Sequence, residues 1–202
     1  MIIIDSGVGN LASICNMLKQ IGITSKISDN YDEISKSSNI ILPGVGSFKK
    51  GMESLKEKKI DKAIINAVEN NSKILGICLG MHFFFEESEE GNEKGLGLLQ
   101  GKVIKFEFKD NENKVPHMGW NYVNFNKESK FNFEYNEKIK FYFAHSYFVN
   151  CKNKSDIAGT TDYGFNFVCA VQRQNLYGVQ FHPEKSHNFG KNFFRNFFNK
   201  DK

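Results

Sequence analysis

The chain has 202 residues, a net charge of +4 and 25% charged residues, so it suits one large domain, residues 1–202, that buries roughly 70% of the surface exposed by its unfolded form. Its four cysteines, Cys15, Cys78, Cys151 and Cys169, stand far apart with no C-x-x-C pair and no metal-type pairing with histidine, which argues against zinc and a disulfide scaffold and for a reducing compartment. Charge is scattered, no apolar run approaches the roughly 18 residues of a membrane span, and Met1-Ile2-Ile3-Ile4-Asp5 lacks a basic n-region, so a cytoplasmic protein with no nucleic acid and no membrane partner is expected.

Ile2 to Ile4 reads as a buried strand, followed by a Gly7-Val8-Gly9-Asn10 turn and a helix from about Leu11 to Ile21. Ile40-Ile41-Leu42 predicts a strand ended by Pro43-Gly44-Val45-Gly46, and Ile60 to Val68 has helical register. Lys73 to Ile77 then reads as a strand and Gly80 to Glu87 as a helix. Strand-turn-helix alternation of this kind predicts a parallel sheet covered by helices. Beyond Gly95, Val103 to Phe108, Ile139 to Phe143, Phe167 to Val171 and Leu176 to Phe181 alternate in the strand manner. A helical period returns only over Asn188 to Phe198. The fold class is therefore α/β: a central, mostly parallel sheet flanked by helices, with an antiparallel extension belonging to the same sheet system. Asp110 to Lys114 and Asn126 to Glu137 read as polar loops. Phe83-Phe84-Phe85 and the Phe193 to Phe198 run read as core aromatics on two of the helices.

Gly76-Ile77-Cys78-Leu79-Gly80 has the spacing of a nucleophile elbow, after an apolar strand and before a helix. A nucleophile on so tight a turn needs neighbours without side chains, which Gly76 and Gly80 supply. The turn aims the amide of Leu79 at a developing oxyanion, and the helix N-terminus favours thiolate over thiol. In Gly178-Val179-Gln180-Phe181-His182-Pro183-Glu184-Lys185-Ser186, Pro183 pushes His182 towards extended backbone. Glu184, two residues on, then shares its face and can orient the imidazole. A base and its orienter thus complement the thiol of Cys78, 104 positions upstream. The Pro43 to Gly46 loop can bring a second oxyanion donor, Val45 or Gly46. Gly7-Val8-Gly9-Asn10-Leu11-Ala12, with Asp29 lying 20 residues after Gly9, also outlines a dinucleotide site. Nothing in the second half supplies partners for hydride chemistry, so that outline ranks below the thiol site.

These pieces together resemble the class I glutamine amidotransferases, a flavodoxin-like family with Cys-His-Glu triads, and more narrowly the glutaminase subunits of imidazole glycerol phosphate synthase. The resemblance runs from Ile2 to about Phe198 and includes Pro116-His117-Met118-Gly119-Trp120-Asn121, Ala144-His145-Ser146-Tyr147 and Thr161-Asp162-Tyr163-Gly164. It implies that Cys78 attacks the side-chain amide of L-glutamine, His182 moves the protons and Glu184 orients His182. A thioester forms, ammonia leaves, and water releases glutamate, with no cofactor and no metal. Gly44, His82, Glu90, Ser146 and Tyr147 match positions that hold the glutamine. Asn10, Trp120 and Lys185 match the side facing a (βα)8-barrel cyclase subunit, which takes up the ammonia in a heterodimer that serves histidine biosynthesis.

Two positions depart from the family. His82 stands where a glutamine usually helps bind the substrate; an imidazole still donates a hydrogen bond, so altered rather than absent binding is expected. Ser6 stands where an aromatic residue is common. Two alternatives accompany the main one. The first is a paralogous glutaminase that supplies a sugar amidotransferase in surface-glycan synthesis; the second is a non-catalytic or dinucleotide-binding α/β protein.

Overall fold

The computed structural model describes residues 1–108, 113–131, 133 and 138–199; parts of the polar stretches at Asp110 to Lys114 and Asn126 to Glu137 lie outside the described residues. The first half runs β1 (Ile2–Ile4), α1 (Leu11–Gln20), β2 (Lys26–Ser28), α2 (Tyr31–Lys36), β3 (Asn39–Gly44), α3 (Phe48–Glu57), α4 (Ile60–Glu69), β4 (Lys73–Cys78) and α5 (Leu79–His82). The second half continues with β5 (Phe85–Ser88), β6 (Glu93–Lys94), β7 (Leu99–Lys105), β8 (His117–Tyr122), β9 (Asn124–Phe125), β10 (Lys140–His145) and β11 (Tyr147–Cys151). It closes with β12 (Ile157–Asp162), β13 (Asn166–Arg173), β14 (Leu176–Val179), a 3-10 turn at Pro183–Lys185 and α6 (His187–Asn199).

The main sheet has the order β2-β1-β3-β4-β14-β13-β11-β7-β5-β6, with β12 beside β13 and β9 beside β12. From β2 to β14 every pairing is parallel. From β14 through β13 and β11 to β7 the pairings are antiparallel, which is the expected extension. The central strands are aliphatic runs buried on both faces, the pattern of a parallel sheet under two helical layers. Ile3, Ile41, Leu75 and Ile77 face α1 and α6, where Ile14, Leu18, Phe193 and Phe194 cover them. Ile2, Ile4, Ile40, Leu42 and Ile74 face the opposite way, onto Ile34 of α2, Met52 and Leu55 of α3 and Ile64 of α4.

Two expectations are corrected. The helix read over Gly80 to Glu87 stops after one turn at His82, and Phe85–Ser88 forms β5. Phe83, Phe84 and Phe85 are all fully buried, and one face of a helix cannot bury three consecutive rings. The chain turns instead, placing Phe83 on Phe48 with ring centroids 5.3 Å apart and Phe84 against Gly76. The second correction concerns the extension. β8 and β10 leave the main sheet and form an antiparallel pair of their own, His117 opposite His145 and Trp120 opposite Tyr142. Its inner face, with Phe141, Phe143 and the two histidines, is buried on the α1/α6 side.

The α1/α6 core is largely phenylalanine. Phe141 lies flat on Phe181 at 3.9 Å, and Phe193 contacts Phe131, Phe141, Phe181 and Phe197 at 5.5 to 5.9 Å. This packing fixes the chain on both sides of His182. Phe193→Ala leaves a cavity among four rings and is expected to lower stability by about 3–5 kcal/mol in urea unfolding.

Candidate active site

β3, β4 and β14 are neighbouring parallel strands, so their C-terminal ends meet at one edge, where open α/β sheets carry their sites. Cys78 ends β4 with φ 54° and ψ −111°, a strained conformation for a side-chain-bearing residue. The strain follows from how closely the next turn lies over β3. A Cβ on Gly80 would run into the carbonyl oxygen of Leu42, and one on Gly76 would stand 2.7 Å from the amide nitrogen of Met81. Gly44, opposite Cys78 in the ladder, is buried beneath Leu79 and Gly80. It therefore supports the elbow from below rather than lining the cavity as expected.

His182 follows β14 with extended backbone, φ −103° and ψ 93°, as Pro183 requires. Its Nδ1–H donates to Glu184 Oε1 at 2.8 Å, both side chains being buried, and the ring also hydrogen-bonds Cys78. Burial disfavours the charged imidazole, but Cys78, by charge and by hydrogen bond, and then Glu184 outweigh it, raising the pKa to about 10. The backbone here is held by β10: the N–H of His182 donates to the carbonyl of Tyr142 at 2.8 Å. Ser186 Oγ donates to the carbonyl of His182 and accepts from the N–H of Tyr142.

A cavity of about 220 Å³ opens at this edge. Cys78, Leu79, Val45 and Gly46 form one wall, and His82, Glu90, Ser146 and Tyr147 line it further. The volume suits a single amino acid, not a dinucleotide. A larger depression of about 580 Å³, around Asn126, Lys127 and Lys154, holds none of these reactive groups. Glu90 is half-buried, and burial raises its carboxyl pKa against a hydrogen bond from the backbone of Phe48. Burial also raises the phenol of Tyr147, with the charges of Glu90 and Glu89 adding to the effect.

Three more histidines are held neutral, two of them, His82 and His145, lining the cavity with Cys78. His82 has a pKa of about 4 through burial, and its Nε2 meets Gln180 Oε1 at 2.8 Å. Its single N–H therefore goes to Gln180, not to a substrate as expected, and Nδ1 remains an acceptor. His145 directs Nδ1–H to the carbonyl of Tyr147 at 2.8 Å, which leaves its Nε2 to accept from Nδ1–H of His117 at 2.9 Å. Asn121 then donates to His117 Nε2 at 3.3 Å. Burial lowers His117 to about 4 and His145 well below its usual value. Gln180 and this Asn121-His117-His145 chain were missed by sequence reasoning as site groups. The only signal for Gln180 was its position two residues before His182.

The other assigned positions fall into place around this centre. Trp120 and Lys185 are exposed, Trp120 stacked on the His187 ring at 5.7 Å and Lys185 Nζ lying 5.8 Å from the ring of Tyr142. Asn10 caps α1 by accepting from the N–H of Ser13 at 3.4 Å, and α1 packs against the turn carrying Lys185. Asp29, the acidic residue of the dinucleotide outline, is instead ion-paired with Lys58 at 3.1 Å. Burial pushes the Cys151 thiol up to about 12, with Asp156 contributing, and raises Cys169 further.

The chain matches the family described as glutamine amidotransferase class-I over residues 2–200. A Methanococcus maripaludis protein named imidazole glycerol phosphate synthase subunit HisH 2 is 49% identical over 196 residues, covering 96% of each chain. A Pseudomonas aeruginosa protein of the same name is 43% identical over 198 residues, covering 98% of each. Among solved structures, PurLQS from Thermotoga maritima aligns with a TM-score of 0.76 at 21% identity, over 100% of this chain and 98% of that one. The Trypanosoma brucei CTPS glutaminase domain with bound acivicin aligns with a TM-score of 0.67 at 19% identity, over 100% and 94%. At such identities the two structures bear on the fold alone.

The histidines give stability a pH dependence of defined sign. His82, His117 and His145 stay neutral in the fold, whereas in the unfolded chain they take up protons near pH 6.5. The unfolded state thus binds more protons as pH falls from about 6.5 to 4, and stability falls with it. His182 acts oppositely: its contribution is complete below pH 6.5 and is lost as pH rises towards 10. In urea titrations between pH 6 and 4, His117→Gln is expected to flatten the acid-side slope by up to about 1.4 kcal/mol per pH unit.

Proposed function

The chain belongs to the class I glutamine amidotransferases, and on that footing we propose that it is the glutaminase subunit of an imidazole glycerol phosphate synthase, in which it hydrolyses L-glutamine and supplies the ammonia to a cyclase subunit. The observation that carries this is the buried His182–Glu184 pair bonded to a cysteine at the end of the central strand, facing a cavity the size of one amino acid.

The paired imidazole keeps the sulfur as thiolate, which attacks the side-chain amide carbon of glutamine. The electron pair moves to the carbonyl oxygen, and the backbone N–H groups of Leu79 and of Val45 or Gly46 receive the oxyanion. As the tetrahedral intermediate collapses, His182 protonates the departing nitrogen, the C–N bond breaks and ammonia leaves a thioester. His182, now neutral, takes a proton from water as the hydroxide adds to the thioester carbon. The C–S bond then breaks, glutamate departs, and the thiolate and the imidazolium are restored. Glu184 holds Nδ1 throughout and offsets the imidazolium charge. Glu90 is a carboxylate short of solvent, and the α-ammonium of glutamine supplies the cation it lacks. Ser146 and Tyr147 complete the hold on the amino acid.

Ammonia released here needs a covered exit. Met118 and Val45 line the cavity and are also exposed, so its mouth opens onto the outer face of β8. That face carries Met118, Trp120 and Tyr122, exposed by 63%, 43% and 54%. Apolar side chains alternating on one strand beside a cavity mouth are suited to a protein partner. The cyclase subunit is the occupant we assign to it, with Trp120, Lys185 and Asn10 at the contact.

Cys78→Ala is expected to eliminate glutamine hydrolysis and covalent labelling by a glutamine-mimicking electrophile; hydrolysis that persists in this variant defeats the mechanism. Met118→Glu is expected to weaken complex formation with the cyclase at least tenfold by titration calorimetry while leaving the melting temperature of the free subunit almost unchanged. Rescue of a histidine auxotroph that retains the cyclase assigns the pathway. Failure to rescue, with glutaminase activity intact, moves the subunit to another ammonia acceptor.

A further inference from the structure

Gln180 is fully buried one residue beyond β14, its backbone fixed by an N–H bond to the carbonyl of Cys169 at 2.8 Å. A primary amide buried there needs polar partners at both ends, and an apolar side chain would fill the space without that demand. Its Nε2 donates to Cys78 Sγ at 3.7 Å, and its Oε1 meets Nε2 of His82 at 2.8 Å. A thiolate only accepts, so the amide must present its NH2 group to sulfur and its oxygen to His82. His82 must then donate from Nε2, which a neutral ring can do with a single proton.

We infer that His82, Gln180 and Cys78 form a one-way hydrogen-bond relay, in which Gln180 adds a second donor to the thiolate beside that of His182 and His82 is a positioning residue that locks the orientation of the amide. The inference rests on Cys78 being the nucleophile. It gives His82 a task other than direct contact with glutamine. Reversal of the amide would set its oxygen against the thiolate, and the N–H of His82 opposes that reversal. The charge on sulfur is present before attack and again as the thioester breaks, so the relay acts at both ends of the cycle.

The test is the pH profile of Cys78 carbamidomethylation by iodoacetamide in the full chain, followed by mass spectrometry of the Cys78 peptide. The titratable groups around the sulfur are His82 from α5, His182 from the turn after β14 with Glu184 behind it, His145 from β10, Tyr147 from β11, and Glu90 from the turn before β6. Gln180→Met is expected to move the midpoint of labelling upward by about one pH unit, with up to about a tenfold loss of rate at pH values below the parent midpoint. His82→Leu should shift it in the same direction by less, and His82→Gln, whose amide can still donate to Gln180, should return it close to the parent profile. A parent-like profile in folded Gln180→Met overturns the relay, whatever the change in melting temperature. Should Gln180→Met not fold, a parent-like profile in His82→Leu overturns it equally. A parent chain in which Cys78 labels no faster at neutral pH than an ordinary thiol refutes the glutaminase reading itself; a fast parent with unshifted variants refutes the relay alone.

Discussion

Everything at the site follows from one close approach, the passage of Gly80 over the carbonyl oxygen of Leu42. No side chain fits between them, so the turn after β4 lies against the end of β3 with only backbone at the contact. That proximity forces Cys78 out of ordinary strand geometry and lifts its sulfur above the sheet edge. It also brings the loop after β3, with Val45 and Gly46, to the same wall as Leu79. The remaining neighbour of β4 is β14, and the parallel register that sets Val179 beside Ile77 delivers Gln180 and His182 just past the sulfur. Two strand ends and one elbow thus bring Cys78, His182 and the Val45–Gly46 loop to one cavity edge without any long loop.

Charge within this buried cluster is settled by what each imidazole finds on its far nitrogen. His82 finds an amide oxygen, His145 a backbone carbonyl, and His117 another imidazole. None of these carries a charge, so desolvation wins and the three rings stay neutral. Only His182 has a carboxylate, at 2.8 Å, and only there is protonation favoured. Cys78 first, by charge and hydrogen bond, and Glu184 after it therefore decide where the proton resides. Because the neutral rings are also fixed in tautomer by their partners, the cluster presents a set pattern of donors and acceptors to the cavity.

Three strands of the parallel half were legible as short aliphatic runs followed by turn residues, and β1, β3 and β4 fall where Ile2 to Ile4, Ile40 to Leu42 and Lys73 to Ile77 placed them, while the short, largely exposed β2 was not read. The triad segments were legible for the same reason: Gly76, Gly80 and Pro183 are demanded by backbone geometry, and backbone geometry leaves marks in sequence. Failures came where tertiary packing overrode local pattern. Phe83 to Phe85 has no period that distinguishes a helix from a turn, and burial of all three rings in one core settled the matter. The separate β8–β10 pair was missed because alternation reveals a strand but not which sheet receives it. Helix α3 went unread since its sequence, FKKGMESLKE, shows few apolar residues, although Ser47 caps it and Phe48, Met52 and Leu55 are buried. Gly44 was assigned to substrate by analogy, while its own neighbours assign it to the elbow.

The small β8–β10 sheet links the interior around the cavity to an exposed surface. Its inner face carries His117 and His145, which lead to the Tyr147 carbonyl beside the cavity. Its edge strand β10 holds the backbone of His182 through Tyr142. Its outer face is the exposed row of Met118, Trp120 and Tyr122. That row therefore belongs to the same two strands that bond the backbone of His182 and the carbonyl of Tyr147. β8 is also joined to the main sheet, Asn121 donating to the carbonyl of Asp162 and Thr161 to that of Tyr122, while β3, β4 and β14 carry Cys78. The cavity edge is thus drawn from two sheets, one that carries Cys78 and one that anchors the backbone of His182.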